Sequence, residues 1–320
     1  MDKFTLCSLF AGVGGIDLGF ENTNKFKTIY ANEMDKFASQ TYRLNFLDSY
    51  LNDLPIEKVD KNSIPKADIL TSGFPCQAFS IAGYRKGFED DRGHLFFETM
   101  EVAKYINPKV IFLENVKNLY SHNKGNTFKI VIDTLKNNGY YTKYKILNSK
   151  DYANIPQNRD RIYIVGLKDK EAYQNFEFPK PQELNIPLCN FIDFTSRDID
   201  EYYFYRNNKN SFYAQLEESI VSQETVYQWR RKYVRANQNG LCPTLTANMG
   251  TGGHNVPLIK TDTGIRKLTE RECFNLQGFP NSFKLPNIAK SHLYKQAGNS
   301  VVVTLITHIA KNIAKALDIS

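Results

Sequence analysis

The stretch FTLCSLFAGVGGIDLGFE, Phe4 to Glu21, decides the fold. Phe4 to Phe10 is apolar and β-tolerant and reads as a first strand, while Ala11 to Phe20 reads as a Gly-rich turn that opens a helix. Strand, glycine turn and helix in that order begin a Rossmann-like α/β unit. The turn departs from a dinucleotide fingerprint: counted from Gly12, a third glycine is wanted at position 17, where the chain has Asp17. The next strand, Phe26 to Ala31, runs into Asn32 and Glu33, ~20 residues past the glycines, where such folds bond ribose hydroxyls. Glu33 there suits an adenosine ligand, or is simply a solvated charge at a strand end.

Further along, GFPCQAFS (Gly73 to Ser80) follows the short apolar run Ala67 to Leu70, so Cys76 should sit just past the carboxyl end of a strand, where open α/β sheets bind ligands. A lone cysteine is usually a small buried hydrophobe; placed here, it is also a candidate nucleophile. The following stretch, Ile81 to Phe97, interrupts a charged run containing Arg85, Lys86 and Arg92 with Gly83, Gly87 and Gly93. That composition fits either an ordinary solvated loop or a hinged lid whose cations meet phosphates. In PKVIFLENV, Pro108 enters a buried strand and Glu114 and Asn115 leave it, so Glu114 is either a helix cap or chemistry. A helix over Thr127 to Asn137 stops at Asn138-Gly139, and Tyr140 to Leu147 reads as a strand. QNRDRIYIVG then sets Arg159 and Arg161 two apart before an apolar strand, so both should share one face, as surface ion pairs or as a working pair.

With 320 residues and 42% apolar side chains the chain can bury a large core in two unequal domains. The net charge of +7 suits a polyanionic partner without requiring one. The five cysteines are odd in number, widely spaced and without a CxxC pair, which argues against a disulfide framework and a Cys-rich metal site. Phe4 to Ile16 is broken by glycines and runs into Asp17, unlike a signal peptide. No later run is apolar for the ~18 uninterrupted residues a membrane helix needs. A cytoplasmic protein with no membrane and no metal is expected.

Beyond Phe176 the helical and strand periods fade in a Pro-punctuated segment, FPKPQELNIPLC, as in a linker to an irregular domain. YYFYRNNKN (Tyr202 to Asn210) and YQWRRKYVRANQNG (Tyr227 to Gly240) interleave aromatics with cations, including Arg230, Arg235 and the only tryptophan, Trp229. Such a mix is either core plus solvated face or a DNA-contacting surface. In CPTLTANMGTGGHNVP, Gly252 and Gly253 would let backbone come close to bases. Thr269 with Glu272 reads as a capping box. The closing stretch QAGNSVVVTLITHIAKNIAKALDI carries apolar residues at helical spacing, with Asn299 or Ser300 expected to cap that helix.

In their order, SLFAGVGGIDLGFE, GFPCQAFS, FLENV, QNRDRIYIVG and QAGNSVVV resemble the motifs of the DNA (cytosine-5) methyltransferases, specifically the compact bacterial restriction-modification type. The resemblance spans nearly the whole chain except about Phe176 to Thr261. It implies a Rossmann-like S-adenosylmethionine-dependent methyltransferase domain, 1–184 plus 291–320, and a smaller irregular target-recognition domain, 185–290. The implied cofactor, S-adenosylmethionine, would be lined by Phe10, Ala11, Gly12, Gly14, Gly15, Glu33, Met34, Asp53, Leu54, Gly73 and Pro75, with Asn299 and Ser300 near its methionine end. Cys76 would be the nucleophile, Glu114 would engage the ring nitrogen of cytosine, and Arg161, with Arg159, the carbonyl oxygen of the base. Double-stranded DNA would be met by Ser80, Arg85, Arg92, Arg230, Arg235, Thr244, Gly252 and Gly253, Thr244-Leu245 matching the family's short Thr-Leu signature. A monomer protecting DNA from a cognate restriction endonuclease follows from the same resemblance. The alternatives are methylation of cytosine in transfer RNA, whose enzymes carry a Cys-Phe-Thr segment that this chain lacks, and a silent DNA-binding relative. A nicotinamide oxidoreductase is argued against by Asp17 together with Cys76 and Glu114.

Overall fold

The computed structural model describes residues 3–75, 94–195, 197–206, 212–230, 232–251 and 255–319. The chain forms two compact units: 1–147, 160–180 and 305–320 in the first, 148–159 and 181–304 in the second. The expected division, at 184 and 291, differs in three places, the first unit's middle segment ending at 180 instead of 184. Residues 148–159 join the second unit because Gln157-Asn158 pairs in parallel with Cys242-Pro243, and the helix over 290–299 packs there against 247–251.

The first unit is built on a seven-stranded sheet. Its strands are β1 (Phe4–Leu9), β2 (Phe26–Asn32), β3 (Tyr50–Asn52), β4 (Ile69–Ser72), β5 (Val110–Val116), β6 (Tyr141–Asn148) and, numbering β7 (Gln157–Asn158) in the second unit, β8 (Asp160–Leu167). The order is β3-β2-β1-β4-β5-β8-β6, with β8 antiparallel to β5 and the pairs from β3 through β5 parallel. In β5, VIFLENV is buried from Val110 to Asn115, the continuous apolar run expected of a strand covered on both faces. Sheet order reverses beside β1, which sends the chain outward to β2 while β4 returns on its other side. Crevices at the carboxyl ends of strands flanking such a point are where ligands bind.

Helix α1 (Gly15–Glu21) starts behind Gly14, whose φ of 85° is left-handed. A side chain at Gly14 would also stand 2.1 Å from Phe46 Cε2, so glycine is required on both counts. Helices α2 (Lys36–Asn45), α3 (His94–Ile106) and α4 (Asn126–Asn137) follow, α4 within a residue of expectation. The last four residues of the expected lid, 94–97, are the first turn of α3; residues 81–93 of that lid lie outside the described residues. The core joins Leu9, Leu70, Met100, Leu113, Val131, Leu135 and Ile164, all at or below 2% exposure.

The second unit carries β9 (Phe204–Tyr205), β10 (Val226–Trp229), β11 (Val234–Asn237), β12 (Cys242–Pro243), β13 (Leu258–Thr261) and β14 (Gly264–Lys267). Five of these form an antiparallel sheet in the order β11-β10-β13-β14-β9. Leu216, Ile220, Tyr227, Leu258 and Ile265 make its core, with Trp229 stacked on Phe212 at 4.1 Å between ring centroids. Helix α5 (Glu270–Asn275) begins with the capping box expected at Thr269 and Glu272. The Glu272 carboxylate also pairs with the fully buried Arg266 at 2.7 Å, so one side chain serves cap and counter-charge.

The C-terminal stretch is two helices, α6 (Lys290–Asn299) and α7 (Val303–Ile319). Ser300 therefore ends α6 in extended conformation, ψ 173°, instead of capping α7. The Val303 amide that opens α7 donates to the Gln277 carbonyl at 2.9 Å. Lys290–Asp318 is long and apolar enough on average to cross a membrane. Leu305, Ile306, Ile309, Ala310 and Ile313 are nonetheless fully buried, as in a core helix.

Candidate active site

At the carboxyl ends of β1, β2 and β3 the chain builds a cradle around one carboxylate. Phe10 leaves β1 in left-handed conformation, φ 54°, a conformation costly for a non-glycine residue and concentrated at functional sites. The Ala11 amide donates to the Asn32 carbonyl at 3.0 Å, and the Gly12 amide to Glu33 Oε2 at 2.8 Å. The Asp35 amide donates to Glu33 Oε1 at 2.7 Å. Glu33 thus fixes the glycine turn through both of its carboxylate oxygens. Asn32 Nδ2 reaches the carbonyls of Asn52 and Leu54, tying the ends of β2 and β3 together. Leu54 and Met34 stand 49% and 67% exposed, apolar surface with nothing covering it among the described residues. Asp53 pairs at 2.8 Å with Arg43, whose hydrogen bond holds its carboxyl below the ordinary carboxylate range.

A second carboxylate lies beneath this turn. Asp17 is fully buried and accepts from Ser8 Oγ at 3.0 Å and, at 3.4 Å, from the Tyr42 hydroxyl. Burial pushes its pKa up to about 7 against the opposing pull of the Ser8 hydrogen bond. The residue that breaks the dinucleotide fingerprint is thus an internal support for α1.

The third carboxylate is Glu114, near the end of β5. Arg161 Nε stands 3.1 Å from Glu114 Oε1, both side chains being close to buried, and Arg161 Nη1 donates to the Asp160 carbonyl at 2.8 Å. The other oxygen of Glu114 is 3.9 Å from the point where a Cβ would stand on Gly73, and the Phe10 carbonyl is 3.8 Å from that point. The short helix that follows, Asn118–Ser121, has no side-chain cap, so Glu114 faces Arg161 and not that helix start. Beside it, Asn115 Nδ2 donates at 2.8 Å to the Phe74 carbonyl, and Asn115 Oδ1 accepts from the Val116 amide. Asn115 thus clamps the Gly73-Phe74-Pro75 turn two residues before Cys76, Pro75 being exposed. Sequence reasoning placed Asn115 at the strand exit and gave it no task; its adjacency to Glu114 was the available signal. Cys76, Ser80, Arg85 and Arg92 lie outside the described residues.

In the second unit the QNR segment is a hub. Arg159 is 1% exposed and donates to the carbonyls of Leu245 at 2.6 Å, Gly298 at 3.2 Å and Ser300. The expectation that Arg159 and Arg161 share a face fails: the chain passes from one unit to the other between 159 and 160, and strand alternation stops applying there. Arg159 is engaged with main chain instead of presenting a fork to a base. Gln157 Oε1 accepts from the Leu245 amide at 3.1 Å and its Nε2 donates to the Leu276 carbonyl at 2.8 Å. Thr244 Oγ1 donates to the Asn158 carbonyl at 2.6 Å. The Thr-Leu dipeptide is thus held by three consecutive residues, 157–159. A Cβ on Gly298 would lie 2.1 Å from the Thr246 carbonyl carbon, so backbone meets backbone there. Asn299 is exposed, whereas Ser300 is buried and its Oγ has no hydrogen-bond partner among the described residues.

An open cleft of about 630 Å³ lies on this unit between β10, β11 and the segment around Thr244. Its lining is polar, with Arg230, Arg235, Gln228, Asn237 and Thr244 among the contributors. Gly252 and Gly253 lie outside the described residues. No group of three His, Cys, Asp or Glu able to hold a metal occurs among the described residues.

The family model of the C-5 cytosine-specific DNA methylases matches residues 4–315. Type II methyltransferase M.Bsp6I of Bacillus sp. (strain RFL6) is 57% identical over 313 residues, covering 98% of this chain and 99% of that protein. Type II methyltransferase M.HhaI of Haemophilus parahaemolyticus is 40% identical over 324 residues, covering 97% and 94%. The chain belongs to the C-5 cytosine-specific DNA methylases. Among solved structures, the S. pombe Dnmt2 methyltransferase superimposes with a TM-score of 0.72 over 99% of both chains at 19% identity. A putative DNA modification methyltransferase of an E. coli prophage gives 0.71 over 99% and 100% at 21%. At those identities the likeness is one of fold, and it confirms the expected α/β methyltransferase architecture. The reaction class is that of the family, methyl transfer to carbon 5 of cytosine in DNA.

Proposed function

We propose that this chain transfers a methyl group from S-adenosylmethionine to carbon 5 of one cytosine within a short specific site in duplex DNA. It does so in the cytoplasm, as a monomer, as the modification partner of a restriction endonuclease. The observation that carries this reading is the Glu114–Arg161 pair at 3.1 Å beside Gly73, three residues before Cys76. The type II relatives favour duplex DNA over transfer RNA.

Carbon 5 of cytosine is a poor nucleophile. The Cys76 thiolate forms a bond to carbon 6, and the electron pair of the 5,6 double bond is thereby made available at carbon 5. Charge pushed toward ring nitrogen 3 is met by Glu114, which supplies a proton or a hydrogen bond there. Arg161 holds the Glu114 carboxyl group in place and presents guanidinium charge to the carbonyl oxygen of the base. Arg159 does neither in this reading; it fixes the Thr244-Leu245 segment. When bound, S-adenosylmethionine supplies a methyl group activated by a sulfonium centre. A base then takes the proton from carbon 5, the electron pair of that bond re-forms the 5,6 double bond, and the bond between carbon 6 and Cys76 breaks with its pair returning to the thiolate. The target base is inside the helical stack, so it must be flipped out, at a cost of a few kcal/mol.

The cofactor fits the residues present. Space is open over Gly12, Glu33 offers a carboxylate to ribose hydroxyls, and Leu54 and Met34 offer apolar surface to adenine. Phe10, Ala11, Gly14, Gly15, Asp53, Gly73 and Pro75 would frame the same crevice. Asn299 and Ser300, which the family resemblance implies near the methionine end, belong to the second unit. The test is base-resolution methylation sequencing of plasmid from a methylation-free host expressing the wild type or Cys76→Ser. Methylation of one short motif, absent in the variant, is expected. No DNA methylation from folded, cofactor-binding wild type would overturn the reading.

A further inference from the structure

Strand alternation divides β10 and β11 into two faces. Trp229 and its cross-strand partner Val234 pack on the core, as does Tyr227. Gln228 stands directly opposite Arg235 on the other face, and both line the polar cleft. Opposed residues of this kind hold their Cβ atoms within about 5.5 Å. Arg230, one position beyond the strand, donates from Nη2 to Gln228 Oε1 at 3.2 Å. That bond engages one of the two lone pairs of the amide oxygen and holds the side chain beside Arg235. Arg235 forms no ion pair among the described residues and keeps its donor fork exposed. Arg235 and Arg230 therefore present donors only, with the Gln228 amide held between them.

We propose that Gln228 and Arg235 form a reading head for one guanine of the recognised site, approached from the major groove, with Arg230 as the residue that positions Gln228. This rests on the DNA methyltransferase reading above. Guanine shows two adjacent acceptors, N7 and O6, on its major-groove edge, which match the Arg235 fork, whereas adenine shows an acceptor beside the N6 donor, which would oppose that fork. The minor-groove edge of guanine carries its own N2 donor and is unsuited. Phosphate is also acceptor-only. It is disfavoured by the setting: the head sits in a concave cleft whose other lining includes the amides of Asn237, Gln238 and Asn248, the equipment of base edges more than of a backbone.

The recognised motif is first defined by base-resolution sequencing with the wild type, then with Gln228→Ala and Arg235→Ala. Short duplexes carrying 7-deazaguanine at each guanine in turn, which removes N7, are assayed with the wild type and Arg235→Ala. Expected is relaxation at a single guanine position, its discrimination falling about 5- to 150-fold, the range for one good bidentate contact. Wild-type methylation should fall similarly on losing N7 of that same guanine, with little further loss in Arg235→Ala. A uniform loss across all sites with an unchanged motif and a shallower salt dependence would assign these residues to phosphate and overturn the proposal. Should Arg235→Ala fail to fold, as read by Trp229 fluorescence, the wild-type series decides alone: no guanine whose N7 matters overturns it. Absence of methylation by folded wild type would overturn the reaction itself, and the reading head with it.

Discussion

Replacing Arg159 by alanine separates a framework role from a catalytic one. The substitution removes the donors to three main-chain carbonyls, those of Leu245, Gly298 and Ser300, from a position 1% exposed. Each buried acceptor left unsatisfied costs about 1–3 kcal/mol, so the ceiling is roughly 9 kcal/mol. The space vacated by the side chain is polar and roomy enough to admit water, which can serve some of these carbonyls, so the expected loss lies near the lower end, about 3–5 kcal/mol. With a urea dependence of about 1–3 kcal/mol per molar, the midpoint should drop by roughly 1–5 M. The chain supplies its own probe. Its single tryptophan, Trp229, lies in the same unit and stacks on Phe212, so intrinsic fluorescence reports the unfolding of that unit. Arg159→Lys keeps the charge but offers donors from a single point and should fall between the two. An unchanged midpoint for Arg159→Ala, together with abolished methyl transfer, would refute the framework argument and return Arg159 to the base.

Asn115→Ala removes the clamp on the Phe74 carbonyl and should lower the single-turnover rate roughly 10- to 100-fold, with cofactor affinity unchanged; rapid-quench kinetics showing a normal rate would discount it. Glu33→Ala releases the Gly12 and Asp35 amides and a ribose acceptor. Hydrogen bonds to a charged group are worth about 1.5–3 kcal/mol, so calorimetry should show S-adenosylmethionine bound about 10- to 150-fold more weakly. Asp17→Asn tests the buried carboxyl. Its pKa is raised from 3.8 to about 7 in the folded state, so its stabilising neutral form is fully present below pH 3.8 and its contribution is lost as pH rises through 7. Up to ~1.4 kcal/mol per pH unit of that fall should vanish in the variant. Identical stability profiles for the two proteins between pH 5 and pH 8 would rule the assignment out.

Much of the first unit was legible because its signals are local. The glycines at 12 and 14 and the carboxylate at 33 each lie within one strand end or turn; in the second unit the Thr269–Glu272 cap, equally local, lies at the helix start where spacing placed it. Three features were not legible, each for a physical reason. Arg159 and Arg161 obey alternation only while one strand carries both, and no local signal marks the change of unit between them. The break between α6 and α7 is hidden because Val301 and Val302 are buried like their helical neighbours, so the apolar pattern runs through it. The sheet of the second unit uses strands of two to four residues, too short for a period of two to stand out.

The pairing of β7 with β12, and the grip of Gln157 and Arg159 on Leu245, bear on how recognition could be exchanged between relatives. A graft of 185–290 alone would carry away Thr244 and Leu245 but leave behind the dozen residues, 148–159, that belong to the same compact unit. The incoming segment would then have to be fastened by a foreign Gln-Asn-Arg stretch and closed by a foreign Gly298. The transplantable module is discontinuous: 148–159 together with 181–304. Under the proposed reading, β10 and β11 can change with the site that is read, while any change at 157–159 has to be matched more than eighty residues downstream.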